Sequence, residues 1–282
     1  MRNWFERSSR LVHFAKQYPV TFYGGLKNRE LFEEVKTFCV FIGYPRSGHS
    51  LIGSLLDAHP NMLIAHEVDA LKYFYFGFGK NQIFQLILEN SSAFTQNGRQ
   101  WNYYSYRVPN QWQGKFQDLR VIGDKQGEGT TLRFKKAPFL LEKLQRVFQE
   151  RIKFIHVIRN PYDNITTISL KTKRHRRTLE ESIDYYFSLA ETVAALKSQM
   201  NSDNFFEMRH ELFIENPHLF LNDLCRFLGV EASDGYLKDC ASITFKSSKK
   251  SRLDAQWTPE LIDLVKTRMD SIDFLNGYSF EE

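Results

Sequence analysis

The stretch Thr37-Phe38-Cys39-Val40-Phe41-Ile42-Gly43-Tyr44-Pro45-Arg46-Ser47-Gly48-His49-Ser50 constrains this chain more than any other part of it. Its first six residues, β-branched and aromatic, read as a buried strand. Beyond Ser50, the residues Leu51, Ile52, Leu55 and Leu56 recur at helical spacing until Asp57-Ala58-His59-Pro60 ends the run. Strand, glycine-containing turn and helix in that order aim backbone N–H groups and the positive end of a helix at one spot. That spot is suited to a phosphate.

The turn nearly matches the nucleotide phosphate loop G-x-x-x-x-G-K-[ST], with Gly43, Gly48 and Ser50 in register. His49 stands where the lysine that reaches the β- and γ-phosphates belongs, and the cation has moved to Arg46, inside the loop. A loop altered in this way is a poor site for ATP or GTP. It remains suited to a single phosphate or a phosphosulfate beside Arg46. The plain alternative for the segment alone is a tight turn with a surface arginine.

Further strands read from the sequence are Met62-Leu63-Ile64-Ala65, Leu119-Arg120-Val121-Ile122, Phe154-Ile155-His156-Val157-Ile158 and Phe205-Phe206-Glu207-Met208. Helices read as a short one over 28–36, one over 138–149, and one after Arg159-Asn160 with Pro161 at its first position. Another is opened by the capping box Thr178…Glu181 and runs to about Met200. The last two start at Asn216-Pro217, closing at Gly229, and at Thr258-Pro259. This alternation predicts an α/β fold: one domain over 1–282, with a central parallel sheet covered on both faces. From Val68 to Asp118 the chain reads as aromatic and irregular. Placed between two phosphate-site elements, the segment 68–118 is expected to line the acceptor pocket and its lid.

Composition narrows the function classes. The 282 residues carry 38 basic against 33 acidic side chains, a net +5. That suits an anionic cofactor but is too weak to argue for nucleic acid. Cys39, Cys225 and Cys240 are odd in number, which predicts reduced thiols and a cytoplasmic location. Arg2, Glu6, Arg7, Arg10 and Lys16 interrupt any signal-like apolar core, and nothing approaches the ~18 apolar residues of a membrane span. The basic and aromatic start (Arg2, Trp4, Phe5, Arg7, Arg10) admits two readings, peripheral contact with a membrane surface or a helix packed on the domain. The packed helix is the expectation.

Tyr44-Pro45-Arg46-Ser47-Gly48-His49-Ser50, with Leu56-Asp57-Ala58-His59-Pro60 after it, resembles the 5′-phosphosulfate loop of sulfotransferases that use 3′-phosphoadenosine 5′-phosphosulfate (PAPS). It is most similar to the arginine-bearing branch, which includes tyrosylprotein sulfotransferases and many bacterial enzymes; His49 departs from the usual pattern. The resemblance implies a P-loop-nucleotide-hydrolase-like sulfotransferase fold. The loop region 36–60, namely Arg46, Ser47, Gly48, His49 and Ser50, would then hold the 5′-phosphosulfate. Arg159-Asn160-Pro161 through Thr167, within 153–170, resembles the family's 3′-phosphate element, an arginine at a strand end followed eight residues later by a hydroxyl (159 + 8 = 167). Thr166 and Ser169 are the alternatives to Thr167. A guanidinium fork plus a hydroxyl near a helix N-terminus binds phosphate well. A basic C-terminal loop closes this side in the family, which implicates Lys250 and Arg252 among Lys246, Lys249, Lys250 and Arg252. A solvated charge run is the competing account of that loop. The run Lys171, Lys173, Arg174, Arg176 and Arg177 is denser and is read only as steering anions or binding nothing.

For the chemistry, Glu67 lies 21 residues after Arg46 (67 − 46), where the tyrosylprotein branch carries its base, and Lys125 resembles the family's second lysine, beside the sulfuryl group. Asp124 could orient Lys125. His66 competes with Glu67 as base. The expected catalytic set is Glu67, Arg46, Lys125 and His66, with no metal. The expected function is sulfuryl transfer from PAPS to a hydroxyl on a small molecule, lipid, carbohydrate or peptide tyrosine. A kinase with a divergent phosphate loop, or a non-catalytic nucleotide-binding module, are the alternatives.

Overall fold

The strand runs read from the sequence pair into one parallel sheet. A computed structural model describes residues 2–171, 177–245 and 247–281, with side chains from Phe14 onward apart from Glu150 and Lys171. The strands are β1 (Thr37–Ile42), β2 (Met62–Ala65), β3 (Gln100–Trp101), β4 (Tyr104–Ser105), β5 (Val121–Asp124), β6 (Ile152–Ile158) and β7 (Phe205–Arg209). Five of them form a sheet in the order β2-β5-β1-β6-β7, and every neighbouring pair in it is parallel. Strands β3 and β4 pair antiparallel as a separate two-residue hairpin.

The period of two along β1 and β6 divides the core. Phe38, Val40 and Ile42 join Ile152, Phe154 and Ile158 on one face, while Cys39 and Phe41 join Ile155 and Val157 on the other. Helices cover both faces, as buried parallel strands require. The first face meets Phe139–Phe148 and Leu179–Lys197, and the second meets His49–Leu56 and Pro217–Leu228. Local signals placed several ends. Thr178 and Glu181 form the reciprocal capping box, Gly229 takes the left-handed conformation (φ 84°) after Leu228, and Thr258 caps Pro259–Met269.

Two expectations are corrected. The third strand begins at Val121 rather than Leu119, because Arg120 is tied off-ladder: its carbonyl accepts from Lys36 N and Thr37 N and its N–H goes to Asn61 O. The segment 68–118 is not irregular throughout. It holds the helices Ala70–Tyr75 and Lys80–Gln96, the second burying Ile83, Phe84, Leu86 and Ile87. Asn90-Ser91-Ser92 reads as a loop in isolation. In the fold the Ser91 hydroxyl donates to the buried carboxylate of Asp57 (2.9 Å) and Asn90 Oδ1 accepts from His66 N (2.7 Å), so the polar run is satisfied within a helix.

The N-terminal helix Arg2–Lys27 packs on Lys80–Gln96, with Phe14 and Thr21 buried and Gln82 Nε2 bonded to Tyr18 O (3.0 Å). The side chains of Arg2, Trp4, Phe5, Arg7 and Arg10 lie outside the described residues. All three cysteines are free and buried. Among the described residues no helix is long and apolar enough to cross a membrane.

Candidate active site

Each of the five parallel strands delivers a polar group at its C-terminal end, where open α/β sheets gather their ligands. Across the sheet these are Glu67 beyond β2, Lys125 after β5, the loop 43–50 after β1, Arg159 after β6 and His210 after β7. They line a cleft of about 470 Å³ that is open to solvent.

The loop takes its shape from three left-handed residues, Gly43 (φ 138°), Arg46 (φ 69°) and Gly48 (φ 103°). Gly48 could carry no side chain. A Cβ there would lie 2.3 Å from His210 Cδ2, so the imidazole occupies the space that a larger residue would need. The helix His49–Leu56 starts at once, leaving its first backbone N–H groups without intrahelical partners beside Arg46. The carbonyls of Pro45 and Arg46 are bonded from outside, by Asn164 Nδ2 (2.6 Å) and Arg159 Nη1 (3.3 Å). Oriented by its neighbours, the Asn102 amide oxygen accepts from Trp101 Nε1 (2.9 Å) and Arg46 Nη1 (3.3 Å).

His49 is buried at the helix start, and burial lowers its pKa to about 3, so its ring is neutral near pH 7. Gly127 abuts it: a Cβ there would be 2.3 Å from His49 Cε1. The ammonium that the loop lacks at position 49 comes from the neighbouring strand. Lys125 Nζ donates to Ser50 Oγ (2.8 Å) and Glu67 Oε1 (2.7 Å) while its side chain is only 2% exposed. Burial lowers the Lys125 pKa, and the Glu67 carboxylate opposes that shift.

Asp124 does not orient Lys125. Its carboxylate accepts from Val68 N (3.2 Å) and Ala70 N (2.7 Å), clamping the left-handed turn that carries Glu67 (φ 62°) and Asp69 (φ 61°). Arg133 grips Asp69 with two bonds (2.9 and 2.6 Å) from the other side. Burial raises Asp124 to about 7.

On the opposite wall Arg159 is 8% exposed and is held by Lys249 O, Ser251 Oγ (3.4 Å) and Arg46 O. Its Nε, buried, has no partner among the described residues. Thr167 lines the cleft with its hydroxyl bonded to Asp163 O (2.7 Å), whereas Thr166 faces Trp257 and Ser169 bonds back to Thr166 O.

The structure therefore brings together Arg46, Gly48, His49, Ser50, Glu67, Lys125, Arg159 and Thr167. It turns four expected residues away. The Ser47 hydroxyl is buried against Tyr44 O (2.7 Å). His66 stacks on Phe94 (3.9 Å between centroids, 15°) with Trp101 edge-on, and burial lowers its pKa to about 3. Arg252 is buried beside Asp163, its N–H on that carboxylate (2.8 Å) and its Nη1 on Ser279 O, so it ties the C-terminal segment to the helix Pro161–Lys171. Lys250 is exposed outside the cleft wall; Lys249, Ser248 and Ser251 take that part of it. The side chains of Lys171, Lys173, Arg174, Arg176 and Lys246 lie outside the described residues, and Arg177 stacks on Tyr185.

The aromatic segment splits. Trp101, Tyr104 and Tyr106 line the cleft, while Tyr73, Phe74 and Phe78 pack in the core. Sequence reading missed His210, although its place directly after the fifth strand is a usable signal. Asn102 and Phe245 carried none.

A parallel sheet with a glycine-containing loop running into a helix after its central strand, and cations arriving from the strands on either side, defines an α/β protein with a P-loop-like turn. The profile of the sulfotransferase family matches residues 39–234, and the chain belongs to that family. Its fold is similar to the sulfotransferase domain from the curacin biosynthetic pathway (13% identity, covering 84% of this chain and 97% of that one, TM-score 0.54). It is also similar to a sulfotransferase from Mycobacterium tuberculosis (12% identity, 89% and 81%, TM-score 0.51). No curated protein sequence matches the chain. The sheet is thus a sulfotransferase fold of the P-loop-like type, and the chain is a transferase.

Proposed function

We propose that this transferase moves a sulfuryl group from PAPS to a hydroxyl of an acceptor, releasing adenosine 3′,5′-bisphosphate. The observation that carries the reading is the convergence of Lys125, Ser50 and Glu67 within 2.8 Å contacts at the mouth of the loop, with Arg159 on the far wall. In this reading the loop from Arg46 to Ser50 holds the 5′-phosphosulfate, Ser47 through its backbone and the others through side chain or backbone. Arg159 and Thr167 hold the 3′-phosphate. The unpartnered Arg159 Nε and the cations Arg46 and Lys125 fit a nucleotide with two anionic groups.

In-line transfer forms a bond from the acceptor oxygen to sulfur and breaks the bond from sulfur to the 5′-phosphate oxygen. Glu67 takes the acceptor proton, and Arg46 with Lys125 stabilises charge on the leaving oxygen. His66 is the less favoured base because its ring is stacked on Phe94 with Trp101 edge-on. Trp101, Tyr104, Tyr106 and Phe245 suit an acceptor with an apolar or aromatic body.

Transfer of labelled sulfate from PAPS to a broad panel of hydroxyl acceptors tests the reaction. Adenosine 3′,5′-bisphosphate at ~100 times its Kd is expected to stabilise the fold by about 2.7 kcal/mol. Stabilisation by ATP with magnesium and not by the bisphosphate would favour phosphoryl transfer instead.

A further inference from the structure

We propose that the outer face of the N-terminal helix, continued by Tyr75, Phe76 and Phe139, seats the protein on an anionic lipid surface. The helix Arg2–Lys27 has 26 residues, about 39 Å of α-helix. Its inner side is already used: Phe14 and Thr21 are buried on the domain, and Gln82 bonds Tyr18 O and Thr21 Oγ1. What faces outward combines large apolar side chains with Lys16 and Lys27. Tyr18, Phe22 and Leu26, spaced by four residues, form one stripe with exposures of 44%, 51% and 56%, and Tyr23 beside them is 72% exposed.

The stripe does not end with the helix. Phe14 meets Phe76 (4.4 Å between centroids), Phe76 meets Tyr75 (5.3 Å), and Tyr75 meets Phe139 (6.1 Å); the last three are all about half exposed. The helix stripe and the Tyr75–Phe76–Phe139 patch are two exposed apolar areas bridged by the buried ring of Phe14, and exposed apolar area on this scale marks an interaction site.

Charge selects the occupant. The helix carries five basic residues (Arg2, Arg7, Arg10, Lys16, Lys27) and one acidic residue (Glu6), a net of 5 − 1 = +4 without His13. Between residues 14 and 29 there is no acid at all. Lys16 and Lys27, the two of these basic residues with described side chains, are both exposed, so a second copy laid on this helix would bring like charges together. Anionic headgroups would neutralise them while the aromatic rings and Leu26 enter the acyl boundary. The helix therefore lies on the surface, since no described helix has the apolar length to cross it.

The full chain should be mixed with vesicles of phosphatidylcholine alone or with phosphatidylserine added, then floated on a density gradient. Flotation with the anionic vesicles only, weakened by salt, is expected. The triple variant Phe22→Ser, Tyr23→Ser, Leu26→Ser should reduce binding roughly tenfold or more, with its melting temperature near that of the parent because these side chains are exposed. Failure of the parent to float, or equal flotation of the variant, overturns the proposal. A lipid-independent dimer that the same variant dissociates, without flotation, would assign the face to a second copy and also overturn it.

Discussion

Lys125 Nζ lies 2.7 Å from Glu67 Oε1, joining the ends of β5 and β2 across the mouth of the phosphate loop. Neighbouring strands make the pair inevitable, because β2 and β5 run parallel with Ala65 opposite Asp124, so the residues just beyond both strands meet. The same ammonium reaches Ser50, so the loop receives from the adjacent strand the cation that neutral, buried His49 cannot supply.

Replacing Glu67 by Gln keeps a hydrogen-bond acceptor for Lys125 and removes only the basicity. Bisphosphate affinity should therefore stay within a few-fold, while turnover on a true acceptor falls by ~10²–10⁴. His66→Ala should cost stability through its lost stack on Phe94 and leave turnover of the folded fraction nearly unchanged. Near-normal turnover of Glu67→Gln would move the base elsewhere.

Arg159→Ala should weaken adenosine 3′,5′-bisphosphate by about 2 to 3 kcal/mol, the scale of a charge-assisted bond. Adenosine 5′-phosphosulfate, which lacks the 3′-phosphate, should lose much less. Because Arg159 also holds Lys249 O and Ser251, a general loosening would weaken both ligands equally, and calorimetry on the two distinguishes these results.

The clamp at Asp124 has a pH signature. Its folded pKa is raised from 3.8 to about 7 by burial, so the stability that it contributes is fully present below pH 3.8 and is lost as pH rises through 7. Asp124→Asn removes that titration at the cost of one backbone acceptor. Relative to the parent, the variant should gain roughly 2 to 3 kcal/mol between pH 5 and pH 8, at about 1.4 kcal/mol per unit up to pH 7. Urea unfolding at the two pH values measures it, and a constant offset would contradict a buried ionising carboxyl.

Gly48→Ala meets both a left-handed backbone, costing ~1–2 kcal/mol, and the His210 ring. Bisphosphate binding should fall more than tenfold, an effect of that size plus the clash. Adding His210→Ala removes the clash but not the backbone strain, so the double variant should recover part of the affinity. A single variant that binds normally would show that the loop does not need this conformation.

Much of the architecture was legible because its causes are local. The strand Thr37–Ile42, the capping box at Thr178, the helix stop at Gly229 and the helix start at Thr258 depend on side-chain period and on bonds spanning a few residues. The family resemblance, likewise, rests on a contiguous loop. The helix Lys80–Gln96 was hidden because its polar Asn90-Ser91-Ser92 run is satisfied by His66 N, Asp57 and Gly114 O, all far away in sequence.

Sequence alone determined that a strand, a glycine turn and a helix would follow one another with Arg46 in the turn, and that Arg159 would stand at the end of a further strand. Only the tertiary structure decided which cations face it. Arg252 turns inward to Asp163, His66 lies against Phe94, and His210 closes on Gly48, 162 residues earlier (210 − 48). Strand order does this: β5 between β2 and β1, and β7 beyond β6, set side by side residues that no local spacing relates, and burial then fixes which way each side chain points.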